Sequence, residues 1–216
     1  MINSILKTFG DILSFKVVFF VFKIAIFSLI ATIAIMWGMW GIISSLISSY
    51  LSFMPWDWLQ VSSQTLIKII FGYILFISLI SINTSIWSDD VIKDISLRHY
   101  PDIAPNGKPN ILKVVFINLK STVIFLLLFV LALPLIFIPV IGQIIMLYLW
   151  SMQIKEPTAY DVGVLFGKPD AKSSRTLAMI ASLFNYIPIV NIFAPLFATI
   201  LFLHDFMGKQ PPKITE

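Results

Sequence analysis

The chain has 216 residues, 58% of them hydrophobic and only 12% charged, against about a quarter charged in an ordinary soluble domain. A soluble core of this size cannot absorb that apolar surplus, so the composition implies one membrane domain over 1–216. The net charge of +4 comes from single basic residues at the edges of apolar blocks, not from the dense patch that nucleic acid requires, and the lack of cysteine excludes disulfides and thiol chemistry.

Residues 1–15 read as an amphipathic helix. Ile2, Ile5, Leu6, Phe9, Ile12 and Leu13 recur at helical spacing, with Asn3, Ser4, Lys7, Thr8 and Asp11 between them. Such a helix belongs at the bilayer interface; the alternative is a helix packed on the rest of the protein. The following apolar stretch is too long for a signal-peptide core and has no small-x-small cleavage site, so the N-terminus is expected to be retained.

Residues 17–51 carry one charge, Lys23. A single helix of that length exceeds a hydrocarbon core of about 30 Å and has to tilt or protrude. Its later part sets Ile42, Ile43, Leu46, Ile47, Tyr50 and Leu51 opposite Ser44, Ser45, Ser48, Ser49 and Ser52, a stripe that either lines a polar path or marks close helix packing or a helix emerging from lipid. Lys23 is expected to snorkel to the nearer interface. Residues 66–87 form the second expected span, bounded by Lys68 and by Trp87, Asp89 and Asp90. Trp56 and Trp58 in the preceding turn read as an aromatic belt, with Asp57 as a turn residue.

No Lys or Arg lies between Ile24 and Ile67, whereas Lys7 and Lys16 precede that stretch and Lys93, Arg98, Lys108, Lys113 and Lys120 follow it. The positive-inside rule therefore places the N-terminus and the segment after Trp87 in the cytoplasm. Pro101, Pro105, Pro109 and Asn106-Gly107 make that segment turn repeatedly.

The last two blocks, 121–150 and 177–203, are each interrupted. The first break holds Pro134, Pro139, Gly142 and Gln143; the second holds Pro188, Asn191 and Pro195. Ile138-Pro139-Val140-Ile141-Gly142 matches Ile187-Pro188-Ile189-Val190-Asn191 as a weak internal repeat. Proline removes a donor and clashes with the preceding turn, so each block either kinks or folds back. Folding back keeps Lys155, Lys168, Lys172 and Arg175 on the same side as the tail with Lys209 and Lys213, which the charge rule favours. The expected fold is thus an all-α integral membrane protein with two long transmembrane helices, two proline-broken helical hairpins that enter part of the membrane, and an N-terminal amphipathic helix. Backbone groups freed at membrane depth need protein or a water-filled cavity around them, which predicts a homo-oligomer.

These breaks, with Leu133-Pro134-Leu135-Ile136-Phe137 before the first, Ala194-Pro195 and Ala198-Thr199 after the second, and the order of the blocks, resemble the CysZ-type sulfate permease family, whose superfamily includes etoposide-induced protein 2.4. The resemblance implies a bacterial inner-membrane oligomer that passes sulfate without an ATPase. In that family a Gly-Leu-Arg element before the first long helix belongs to the sulfate site. Here the matching stretch is Ser14, Phe15 and Lys16, which keeps a positive charge but lacks the glycine and the planar fork of arginine.

Other chemistry is set aside. Gly163-Val164-Leu165-Phe166-Gly167-Lys168 is one residue short of a phosphate loop, and Pro169 stands where Ser or Thr would hold magnesium. His99 and His204 are distant in sequence and read as solvated or interfacial, and Asp89, Asp90 and Asp94 read as a polar helix end. Gln143 and Asn191 sit just beyond the breaks, where they cap freed backbone or touch a permeating ion. No acid, base or nucleophile constellation appears, so neither an enzyme nor a metal or cofactor is expected. The competing class is a non-transporting structural or assembly factor of the membrane.

Overall fold

The computed structural model describes residues 2–52, 57–136, 138–187 and 189–209. Trp56, Pro188 and Lys213 lie outside the described residues, as does the rest of the turn around Trp56. All regular elements among the described residues are helical: α1 (Ile2–Ile12), α2 (Phe15–Gly38), α3 (Trp40–Leu51), α4 (Asp57–Trp87), α5 (Asp89–His99), α6 (Ile111–Ile136), α7 (Ile141–Leu165), α8 (Arg175–Ser182) and α9 (Ala194–Gly208), with 3-10 turns at Leu183–Tyr186 and Val190–Phe193. Four stretches are long and apolar enough to cross a bilayer: Phe15–Gly38, Gln60–Trp87, Ile111–Ala132 and Val190–Gly208.

Helix α1 turns a mixed face inward, in which Ile12 is buried beside polar residues and the Phe9 ring packs on Phe197. Ser4, Thr8 and Asp11 are buried against α9, Thr8 completely, while Leu6 is 65% exposed and Ile2 and Leu13 more so. An apolar face turned away from the protein needs lipid to cover it. The buried polar groups are satisfied: Thr8 Oγ1 donates to Ser4 O at 2.7 Å, and Asp11 accepts from two histidines.

The single helix expected over 17–51 is instead two. At Met39 the backbone leaves the helical region (φ −99°, ψ 5°), with Gly38 and Gly41 beside it. The bonds Met39 N→Ile35 O and Ile43 N→Met39 O persist, both at 2.9 Å, so the chain kinks without opening into a loop. The kink keeps α3 alongside α4, where Lys68 sits 4.4 Å from the centre of the Trp40 ring. The serine stripe is divided: the hydroxyls of Ser45 and Ser52 donate to their own helix at Ile42 O and Ser49 O, and Ser44 faces inward. Helix α4 starts at Asp57, nine residues before the expected Leu66 (66 − 57), so Asp57 sits in a helical first turn, where a carboxylate suits the positive end of the helix, and not in the connecting turn.

The charged segment after Trp87 is not all loop. Asp89 and Asp90 open α5 and Arg98 and His99 close it, each sign at the end the helix dipole favours, and Val91, Ile92 and Ile95 fill its buried side. The proline-rich stretch that follows docks on the end of α7: the amides of Asn106 and Gly107 both donate to Leu165 O, at 3.0 and 3.1 Å. A Cβ at Gly107 would lie 1.8 Å from Val164 O, so only glycine allows this approach. Gly163 and Gly167 belong to the same cap, with Lys168 N→Gly163 O and Gly167 N→Val164 O ending α7 in a glycine C-cap.

Helices α6 and α7 form an antiparallel hairpin, held along its length by Tyr160 with Asn110, Lys120 with Glu156 and Gln153 with Thr122. Its tip is a γ-turn at Val140 (φ 67°, ψ −53°) closed by Ile141 N→Pro139 O at 2.8 Å. The second tip repeats the conformation at Ile189 (φ 70°, ψ −44°). The two segments also share one bond, Gly142 N→Ile138 O in the first and Asn191 N→Ile187 O in the second. The sequence repeat is therefore a backbone repeat. The second hairpin has a short arm, α8 of eight residues continued by one 3-10 turn, and a long arm, α9, that forms the centre of the protein. Leu196, Phe197, Ile200, Leu201 and Leu203 of α9 are fully buried.

Candidate functional site

Ser14, Phe15 and Lys16 lie at the junction of α1 and α2. Ser14 is the N-cap of α2, its hydroxyl hidden and without a hydrogen-bond partner. Phe15 is exposed and stacks on Phe19. Lys16 Nζ is 3.2 Å from Asp94 Oδ1, and the second oxygen of Asp94 takes Arg98 at 2.8 Å. The hydrogen bond from Lys16, joined by that of Arg98, holds the Asp94 carboxyl below its ordinary range. The junction is positive at the start of a helix, but its cation is already paired.

The interior of the bundle carries a ladder of uncharged polar groups along one side of α4. Asn83 donates to Ser28 of α2 at 2.9 Å; Ser81 donates to Asn118 of α6 at 3.0 Å, and Asn118 in turn to Ser85 at 3.3 Å. Ser78 and Thr84 are also buried on α4, and Asp161 of α7 sits beside Ser85 with one carboxyl oxygen unpartnered. Further along α4, Tyr73 accepts a hydrogen bond from Asn191. Neutral amides and hydroxyls between helices act as glue in a bilayer.

Among the described break residues, Asn191 meets α4 at Tyr73, about 20 Å from its Trp87 end at the helical rise per residue, and none is bonded to Lys16. Gly142 is pressed against the preceding helix, a Cβ there meeting Ile136 O at 2.0 Å. Gln143 contributes its carbonyl, which accepts from Tyr186 of the other hairpin, while its side chain is exposed. Pro134 lies within the last turn of α6, Pro139 in the tip, and Pro195 in the first turn of α9, where its missing amide costs nothing. Tyr186 and Trp150, ring centres 4.8 Å apart, complete the contact between the two hairpins.

The histidines correct the sequence expectation. His204 is wholly buried on α9, and His99 at the end of α5 is partly buried; both meet Asp11 of α1, their Nε2 atoms 2.8 and 3.1 Å from its carboxylate. Tyr100 Oη lies 3.1 Å from His204 Nδ1. Burial would raise the Asp11 carboxyl, but the hydrogen bonds and charges of the two histidines outweigh it and hold it below its ordinary value. An open cavity of about 510 Å³ adjoins this cluster, lined by Asn3, Ser4, Lys7, Tyr100, His204 and Lys209 among others. Three distant segments are needed to build the cluster, so no local motif announces it; the available signal was an acid on the polar side of an interfacial helix.

An all-helical bundle with four potential spans, an amphipathic first helix and two hairpins with matching tips defines a polytopic membrane protein. The chain belongs to the family of the sulfate transporter CysZ and etoposide-induced protein 2.4, whose sequence model matches residues 4–167. The match covers α1 to α7 and ends where the second hairpin begins. Neither a curated protein nor a solved structure matches the chain.

Proposed function

We propose that this protein passes a small anion, with sulfate as the leading candidate, across the bacterial inner membrane, and that it does so as a homo-oligomer without enzymatic chemistry or cofactor. The observation that carries this reading is the family match over α1 to α7. It is supported by an interior of neutral hydrogen-bond donors between α2, α4 and α6, which can replace part of an anion's hydration without trapping it. Lys16 stands at the start of α2, where its charge, when not held by Asp94, attracts an anion. The distribution of Lys and Arg puts both termini in the cytoplasm.

Sulfate flux into liposomes containing the purified chain tests the reading. Uptake above protein-free vesicles is expected, reduced by Lys16→Gln and retained by Lys16→Arg, which restores a bidentate fork. Asp94→Asn releases Lys16 from its partner and is expected to raise uptake. Absence of flux from well-folded protein would favour a non-transporting assembly role, for which the exposed apolar sides of α1 and α6 offer contact surface. Orientation is testable because the chain has no cysteine. Lys172→Cys, at an exposed position of the loop before α8, should resist an impermeant reagent added outside intact cells. A strictly monomeric mass in native bilayers would remove the oligomer from the proposal.

A further inference from the structure

We propose that Asp11, His99 and His204 form a binding site for a borderline divalent transition metal, of which Zn²⁺ is the natural representative, joining α1, α5 and α9. The chain has only two histidines and no cysteine, so nearly all of its capacity to ligate such an ion lies in this cluster. Both imidazoles approach the same carboxylate through Nε2, His204 at 2.8 Å and His99 at 3.1 Å, and one ligand atom from each of the three residues lies within 4.8 Å of the others. That spread suits an ion with ligand distances near ~2.0–2.2 Å to nitrogen and oxygen. The two rings stand edge to face, centres 5.0 Å apart, so their Nε2 atoms converge without the rings stacking.

The outer shell is also present. With the proton of His204 on Nδ1, that nitrogen donates to Tyr100 Oη and leaves the Nε2 lone pair for the ion, the arrangement by which outer hydrogen bonds fix a ligating imidazole. Arg98 is the opposing feature: its Nη1 lies 3.5 Å from Asp11 Oδ1. Its other terminal nitrogen is bonded to Asp94 at 2.8 Å and the side chain is half exposed, so the guanidinium has a partner to retain when it gives way. Three protein ligands leave the fourth position of a tetrahedral site to a water. Two imidazoles and one carboxylate select Zn²⁺, Co²⁺, Ni²⁺ or Cu²⁺ over Mg²⁺ and Ca²⁺, which require oxygen ligands.

The test uses the full chain in detergent, purified without a histidine tag. Calorimetric titration with Zn²⁺ is expected to give saturable binding of one ion per chain and a rise in Tm, with Mg²⁺ producing neither. His99→Gln, at the partly exposed position, is expected to weaken Zn²⁺ at least about tenfold, and Tyr100→Phe by a similar factor through loss of the outer hydrogen bond. His204→Gln should abolish saturable binding. Co²⁺ titrated into the unmodified chain should produce the visible absorption of a four-coordinate site, a readout that needs no variant to fold. The proposal is overturned if the unmodified chain shows neither Zn²⁺ saturation nor the Co²⁺ band, or if folded His99→Gln binds Zn²⁺ as the unmodified chain does.

Discussion

At the tips of the two hairpins the backbone does the same thing: Val140 and Ile189 both take positive φ, and the amide two residues later returns to the carbonyl before the proline. The arms that leave those tips have opposite surroundings. In the most apolar stretch of α6 only 22% of residues are buried, and Leu131 is 75% exposed; in the corresponding stretch of α9 the buried share is 78%. Both helices are apolar nearly all round, the composition that fits either lipid or a protein core. A short sequence pattern therefore sets the turn, while the partner of each arm is set by the packing of the whole chain. The helix that becomes the core is the less apolar of the two, because its His204 and Asp205 have partners in Asp11 and Lys209 that lipid could not supply.

The contrast can be broken most strongly at Phe197, which is fully buried and packs against Phe9 and Phe184 with ring centres 5.2 and 4.2 Å away. Phe197→Ala should cost about 3–5 kcal/mol in thermal or denaturant unfolding, whereas Leu131→Ala on the exposed side of α6 should stay within about 0.5 kcal/mol. At the tips themselves, Gly142→Ala should cost about 2 kcal/mol or more, since the added methyl meets Ile136 O at 2.0 Å. Asn191 occupies the matching position with a full side chain, so Asn191→Gly should lose only its bond to Tyr73, about 1 kcal/mol.

Val140→Gly and Ile189→Gly sharpen the equivalence, because both residues are β-branched at positive φ and 70% and 77% exposed. Each substitution should raise stability by about 1 kcal/mol; a gain at one tip alone would mean that the tips differ in strain. The smallest effect is expected at the exposed Lys16–Asp94 pair, where Asp94→Asn should change stability by less than about 0.5 kcal/mol. Because the Asp94 carboxyl is lowered, its contribution is complete above the ordinary aspartate range, near pH ~4, and is lost as pH falls through the lowered value. The Tm of the Asn variant should therefore lie slightly below the parent's above that range and converge with it as pH falls through the lowered value.

Much of the architecture was legible in the chain because membrane insertion constrains it through simple quantities. Long apolar runs marked the spans, prolines marked the interruptions, and the alternation of Ile5, Phe9 and Ile12 with Ser4, Thr8 and Asp11 marked α1 as an amphipathic helix. The kink at Met39 escaped because glycines such as Gly38 and Gly41 are common within membrane helices, and the early start of α4 because Asp57 looks like a turn residue when its helix is unknown. Of the candidate site, the charge at Lys16 could be read, but not that Asp94, far along the chain, already holds it.

The sequence by itself determined the membrane class, the place of the two tips and their shared conformation, since hydropathy and proline act locally. Only the tertiary structure decided which apolar helix became the core, which face of α1 turned inward and that the two histidines meet one aspartate. Those outcomes depend on which distant segments satisfy a buried polar group, and lipid and protein interior are indistinguishable to a sequence that records only how apolar each position is.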